Sequence, residues 1–105
     1  MKNMQHPSEL FEAILRTIES IPEGCVASYG QIADRVGTGP RQVAQALRSV
    51  PEGRKAPWFR VINSAGKISD HGSYDRQHTL LEAEGVTFEN GRVDFGVYGW
   101  ITEDE

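Results

Sequence analysis

Between residues 28 and 48 the chain is punctuated so closely that two short helices are almost its only option. Ser28-Tyr29-Gly30-Gln31 fits the Ser-x-x-Gln box that opens a helix, in which serine and glutamine side chains answer backbone N–H groups left unpaired by the first turn. Ile32, Ala33 and Val36 form the inward face of that helix, and Gly37 suits the left-handed residue that closes it. After Thr38-Gly39 comes Pro40, whose fixed φ and missing N–H are harmless at a first helical position. Val43, Ala44 and Leu47 carry the next helix to about Ser49, with Arg41, Gln42, Gln45 and Arg48 outward. Two short helices around a glycine-containing turn are a helix-turn-helix candidate.

The flanks supply partners for this pair. Leu10, Phe11, Ile14, Leu15, Ile18 and Ile21 recur at three- and four-residue steps. They predict a helix over about residues 8–20, capped by Ser8, with Glu9 and Glu12 at its positive end, and stopped by Pro22-Glu23-Gly24. Val26 and Ala27 read as a link. Downstream, Pro51-Glu52-Gly53 is a turn and residues 54–60 are a basic loop around Pro57-Trp58-Phe59. Arg60–Asn63 and Lys67–Ser69 predict a small hairpin over Ser64-Ala65-Gly66. A polar loop, 70–73, leads to a fourth helix over about residues 75–84 that buries Leu80 and Leu81. Val86–Glu89 and Arg92–Phe95 flank Asn90-Gly91, a strong hairpin signal, and Val97–Ile101 supply an aromatic edge. The expected fold is mainly α with small β-hairpins, a winged-helix-like domain. A single domain over 1–105 is expected, with its core at about 8–96 and an acidic tail at 102–105.

Composition narrows the chemistry. No apolar run reaches the length of a membrane span, and MKNMQHPSEL lacks the apolar stretch of a secretory signal, so a cytoplasmic protein is expected. One cysteine excludes a disulfide framework and any multi-cysteine metal site, and the three histidines have no metal-ligand spacing. Neither a metal nor a cofactor is expected. The net charge of −4 hides an asymmetry. From Arg35 to Lys67 stand seven basic residues and one acid, Glu52, an excess of +6, which leaves −10 on the rest. Such a field steers partners where a small net charge would not, although a basic stretch is also compatible with plain solvation.

A few residues stand out. Cys25 follows a Pro-Glu-Gly turn with no neighbouring cation or histidine to lower its pKa, and reads as a half-buried small side chain. Glu82 and Glu84 read as solvated carboxylates on the wet face of the fourth helix. Trp58 lies in a basic loop with no helix or strand periodicity on either side. Core filler and a stacking wall for a planar ligand both fit it. Arg41 near the start of the third helix suits either a surface ion pair or a nucleic-acid contact, and Tyr29 suits ordinary half-burial.

Four blocks in order carry a more specific signal. They are Ile21-Pro22-x-Gly24-x-Val26-x-Ser28-Tyr29-Gly30-x-Ile32-Ala33; Pro40-Arg41; Pro57-Trp58-x-Arg60-Val61-Ile62-Asn63-x-x-Gly66-x-Ile68-Ser69; and Leu80-Leu81-x-x-Glu84-Gly85. Together, over about residues 8–86, they resemble the DNA-binding domain of O6-alkylguanine-DNA alkyltransferases, whose fold is of the expected type. In those enzymes the third block reads Pro-Cys-His-Arg-Val and the cysteine accepts the alkyl group. Here Trp58 and Phe59 stand at the cysteine and histidine positions. Tryptophan there resembles the alkyltransferase-like proteins, which bind the same lesions without repairing them. Phe59 departs from their usual Pro-Trp-His-Arg-Val.

The resemblance implies a non-enzymatic sensor of O6-alkylguanine in double-stranded DNA that marks the lesion for nucleotide excision repair proteins. It implies minor-groove docking through Ser28, Tyr29, Gly39, Arg41, Gln42 and Gln45. Arg41 matches the finger that fills the stack, and Tyr29 the residue that crowds the phosphate. A pocket for the extruded base is implied at Trp58, Tyr29, Arg60, Val61, Ser69 and His71. His71 stands where relatives often carry an arginine, so a pH-dependent preference among lesions is expected there. A monomer is expected. Three other readings stay open: a winged-helix regulator of undamaged DNA, an enzyme acting through Cys25, and a protein-interaction domain.

Overall fold

A computed structural model of the chain describes residues 7–68 and 74–100, with side chains from residue 9 onward. The order is α1 (Pro7–Glu19), β1 (Ala27–Ser28), α2 (Tyr29–Val36), α3 (Pro40–Arg48), a single 3-10 turn (Trp58–Arg60), β2 (Val61–Ile62), α4 (Tyr74–Ala83) and α5 (Phe95–Tyr98). The helix α1 begins at Pro7, so Ser8 lies inside it and not at its cap.

Capping chemistry sets the α2–α3 pair as expected. The Ser28 hydroxyl accepts from the Gln31 N–H at 3.0 Å. Gly37, at φ 89°, closes α2 with its N–H on the Ala33 carbonyl, and Pro40 is the first residue of α3. The box is not reciprocal: the Gln31 amide instead donates to the Trp100 carbonyl at 2.8 Å, tying α2 to the far end of the described chain.

The strands depart from expectation. Val26 and Ala27 are more than a link, because β1 pairs with β2 in parallel, Ala27 opposite Val61 and Ser28 opposite Ile62. On its other side Val26 bridges Gly99, donating to the Tyr98 carbonyl and accepting from Trp100, both at 2.8 Å. Alternate residues of a strand face opposite ways, so this small sheet parts two cores. Ala27 and Val61 join Ile14, Ile18, Ile32 and Val43 beneath the three N-terminal helices. Val26 and Ile62 join Ile68, Leu81, Val86 and Val93 on the other face.

Neither predicted hairpin forms a ladder among the described residues. The 60–69 segment makes a tight turn in which the Asn63 carboxamide accepts from the N–H groups of Ala65 and Lys67. Its strand, Val61–Ile62, goes to β1 instead, because pairing there buries both apolar side chains. The Asn90-Gly91 turn is as expected, with φ of 55° and 75°, but it closes one bridge only, Glu89 to Arg92. Phe95 then enters α5, capped by the Asp94 carboxylate, instead of extending the strand. On α4 the buried residues are Gln77 and Leu81, while Leu80 is half-buried.

Candidate nucleic-acid interface

The 3-10 turn at the end of the basic loop sets Trp58 in the lining of a cleft of about 960 Å³ between α2, α3 and the start of α4. The indole is half-buried. It meets Phe59 edge to face, with ring centroids 5.9 Å apart and planes at 89°. Tyr29, the first residue of α2, lines the cleft from the helix-turn-helix side, as does Arg41, the second residue of α3. Arg41 is exposed and has no ion pair among the described residues. Three residues from separate sequence blocks thus meet on one concavity.

Other residues of the predicted set lie elsewhere. Ser28 is spent as the cap of α2, and Gly39 is the cap residue of α3. A Cβ on Gly39 would stand 2.8 Å from the Gln42 side-chain oxygen. Gln45 is exposed on α3 outside the cleft wall. Val61 is 1% exposed within the first core and lines nothing. Arg60 turns away from the cleft. Its Nε donates to Glu84 Oε1 at 3.0 Å, its Nη2 to the other oxygen, and its Nη1 to the Ile21 carbonyl at 2.8 Å. Ser69 and His71 lie outside the described residues, as does the 102–105 tail.

The same contacts correct the reading of Glu84 as solvated. It is largely buried and also accepts from the Gly24 N–H at 3.0 Å. Burial alone would raise its pKa. The hydrogen bonds from Arg60 and Gly24 outweigh that and hold it below the ordinary carboxylate range. Glu82 is exposed, as expected, 3.4 Å from His78. Cys25 is half-buried against the first core and is not a cleft residue.

Of the cleft residues that the sequence reading did not assign to the site, four bear on its chemistry. Arg48, on the outward face of α3, lines it, and so does Arg54. The Arg54 guanidinium is held by Glu12 at 2.7 Å and Glu19 at 2.8 Å, which pins the basic loop to α1. Hydrogen bonds from Arg54 and then Arg16 bring the Glu12 pKa down to about 2. Arg54 lowers Glu19 in the same way, and its own pKa rises. Arg76 and Gln77 line it from α4. Gln77 was detectable: a polar residue one turn before Leu81 occupies a core phase of the helix. Arg76 gave no signal, since its spacing is that of any surface arginine.

Among the described residues, no group of three His, Cys, Asp or Glu side chains could hold a metal ion, and no helix is long and apolar enough to cross a membrane. The arrangement is therefore a basic, aromatic-walled cleft beside a helix-turn-helix pair.

Known proteins share both sequence and shape. A protein of Vibrio parahaemolyticus called DNA base-flipping protein is 48% identical over 91 residues, which cover 83% of this chain and 91% of that one. Alkyltransferase-like protein 1 of Schizosaccharomyces pombe is 40% identical over 83 residues, 74% of this chain and 77% of its own. The crystal structure of the Schizosaccharomyces pombe alkyltransferase-like protein in complex with damaged DNA containing O6-carboxymethylguanine superimposes with a TM-score of 0.82. It does so at 32% identity, covering 97% of this chain and all of that one. Residues 9–86 match the family described as 6-O-methylguanine DNA methyltransferase, DNA binding domain, and the chain belongs to that family.

Proposed function

We propose that this protein is a non-enzymatic sensor of O6-alkylguanine in duplex DNA, acting as one domain. The observation that carries the reading is the half-buried Trp58 ring on the wall of a cleft that also holds Tyr29 and Arg41 and whose lining contains no thiol. Its helix-turn-helix enters the minor groove, Arg41 fills the gap in the stack, and Tyr29 crowds the neighbouring phosphate. The extruded guanine packs against Trp58. Extrusion costs a few kcal/mol, and less for a base whose pairing is already damaged. Stacking of roughly 1–3 kcal/mol offsets that cost. Each buried CH₂ of the adduct adds about 0.8 kcal/mol.

No alkyl group is transferred. Displacement at an alkyl carbon needs a nucleophile such as a thiolate, and an indole is not one. Phe59, at the position of the enzymes' histidine, supplies no base. Handover of the marked lesion to nucleotide excision repair proteins rests on the family resemblance. Action in the cytoplasm, as a monomer, completes the proposal; the single free cysteine suits such a reducing compartment.

Competition binding at one fixed salt concentration tests the reading, with duplexes that differ only in guanine or O6-methylguanine. The expected result is preference for the modified duplex, with the methyl group still on the DNA and none on the protein by mass spectrometry. Equal binding to both duplexes overturns the reading in favour of a regulator of undamaged DNA. A methylated Cys25 overturns it in favour of an enzyme.

A further inference from the structure

Arg76 is the cleft's one arginine outside the helix-turn-helix and the basic loop. Its guanidinium carbon sits 5.8 Å from the centre of the Trp58 ring. The side chain is exposed and has no hydrogen bond or ion pair among the described residues. Its place is nevertheless fixed. The next residue, Gln77, is 2% exposed and donates from Nε2 to the carbonyls of Phe59 and Val61, both at 3.0 Å. These bonds lock α4 to the strip of chain that carries Trp58.

The charges around the cleft are one-sided. Arg41, Arg48, Arg54 and Arg76 line it, and among the described residues no carboxylate does. Arg54 is answered by Glu12 and Glu19. Arg41 and Arg48 belong to α3, the helix assigned to the DNA groove. Among the described residues, Arg76 alone places a charge without an ion pair beside the indole.

We infer that Arg76 is a specificity-determining residue that favours O6 adducts ending in a carboxylate over neutral adducts of similar size. This rests on the base-flipping reading above. A purine stacked on Trp58 shares that ring with the guanidinium, whose planar fork matches a carboxylate with two parallel N–H···O bonds. A neutral chain of the same length gains only apolar contact.

The test measures affinity for three duplexes at one salt concentration, carrying guanine, O6-propylguanine or O6-carboxymethylguanine. The protein is compared with Arg76→Gln and with Arg76→Met, which keeps most of the side-chain length. The unaltered protein should bind the carboxymethyl duplex about tenfold more tightly than the propyl duplex, as a charge-assisted hydrogen bond supplies. Both variants should bring that ratio to about one while leaving the propyl-to-guanine ratio unchanged. An equal loss on all three duplexes would make Arg76 a phosphate contact and overturn the assignment, as would an unchanged ratio. Failure of the base-flipping reading looks different, because the unaltered protein would then bind propyl and guanine duplexes alike.

Discussion

In the proposed function, Trp58 is the residue that separates holding a base from modifying it. The ring is half-buried, meets Phe59 edge to face and lies under the Arg76 guanidinium, and it lines the cleft, where a base can stack on it. Trp58→Ala should therefore lower affinity for an O6-methylguanine duplex by about 1–3 kcal/mol, roughly a 5- to 150-fold loss, with a much smaller change for the guanine duplex. Fluorescence anisotropy on the two duplexes measures this; equal losses would assign the ring to general DNA contact. The candidate site was legible where its residues belong to quoted motifs: Tyr29 after the serine cap, Arg41 after Pro40, Trp58 after Pro57. It was illegible where roles depend on partners distant in sequence. Nothing local to Arg60 distinguishes an arginine facing a ligand from one bound to Glu84, 24 residues on. Nothing local to Arg76 announces the indole that its guanidinium overlies.

Local chemistry predicted whichever elements local chemistry decides. The caps of α2 and α3 and the left-handed turn at Asn90-Gly91 are short-range, and the structure has them. Pairing partners are long-range, so local sequence carries no sign of the parallel β1–β2 ladder and points to hairpins in its place. Gly66 shows why that region forms a turn and not a ladder. Its φ is 84°, its carbonyl accepts from the Val93 N–H at 2.8 Å, and a Cβ there would stand 2.5 Å from the Val93 carbonyl oxygen. Gly66→Ala should destabilise the fold by about 2 kcal/mol or more, seen as a lower midpoint in urea, because both backbone conformation and close approach are lost. The clamp between α1 and the basic loop makes a pH prediction. Glu12 has its pKa depressed from an ordinary 4.5 to about 2 by Arg54 and Arg16, and Glu19 is depressed by Arg54. A carboxylate with a depressed folded-state pKa stabilises the fold fully above its ordinary value and loses that contribution as pH falls toward the lowered one. Thermal stability should thus decline between about pH 4.5 and 2. Glu12→Gln should be less stable at neutral pH and decline less steeply through that window. Parallel curves would show that the clamp contributes nothing.

For the whole molecule, the question is how a chain of net charge −4 presents a surface to a polyanion. The fold answers by sorting its basic residues. Of the seven between 35 and 67, Arg54 and Arg60 are consumed in ion pairs that fasten the loop to α1 and to Glu84. Arg41, Arg48, Lys55 and Lys67 are exposed and have no ion pair among the described residues. Only charges of the second kind displace counterions when they meet phosphates, and each contributes about 0.9 to the slope of log affinity against log salt. Arg48→Ala should therefore reduce that slope by about 0.9 for modified and unmodified duplexes alike. Arg54→Met should leave the slope nearly unchanged and lower thermal stability instead, because its charge is already answered within the fold. If the two substitutions reduce the slope equally, the basic segment acts as an undivided sum of charges. If only Arg48→Ala does so, the ion pairs to α1 have removed Arg54 from the DNA-facing field while leaving its side chain as part of the cleft wall.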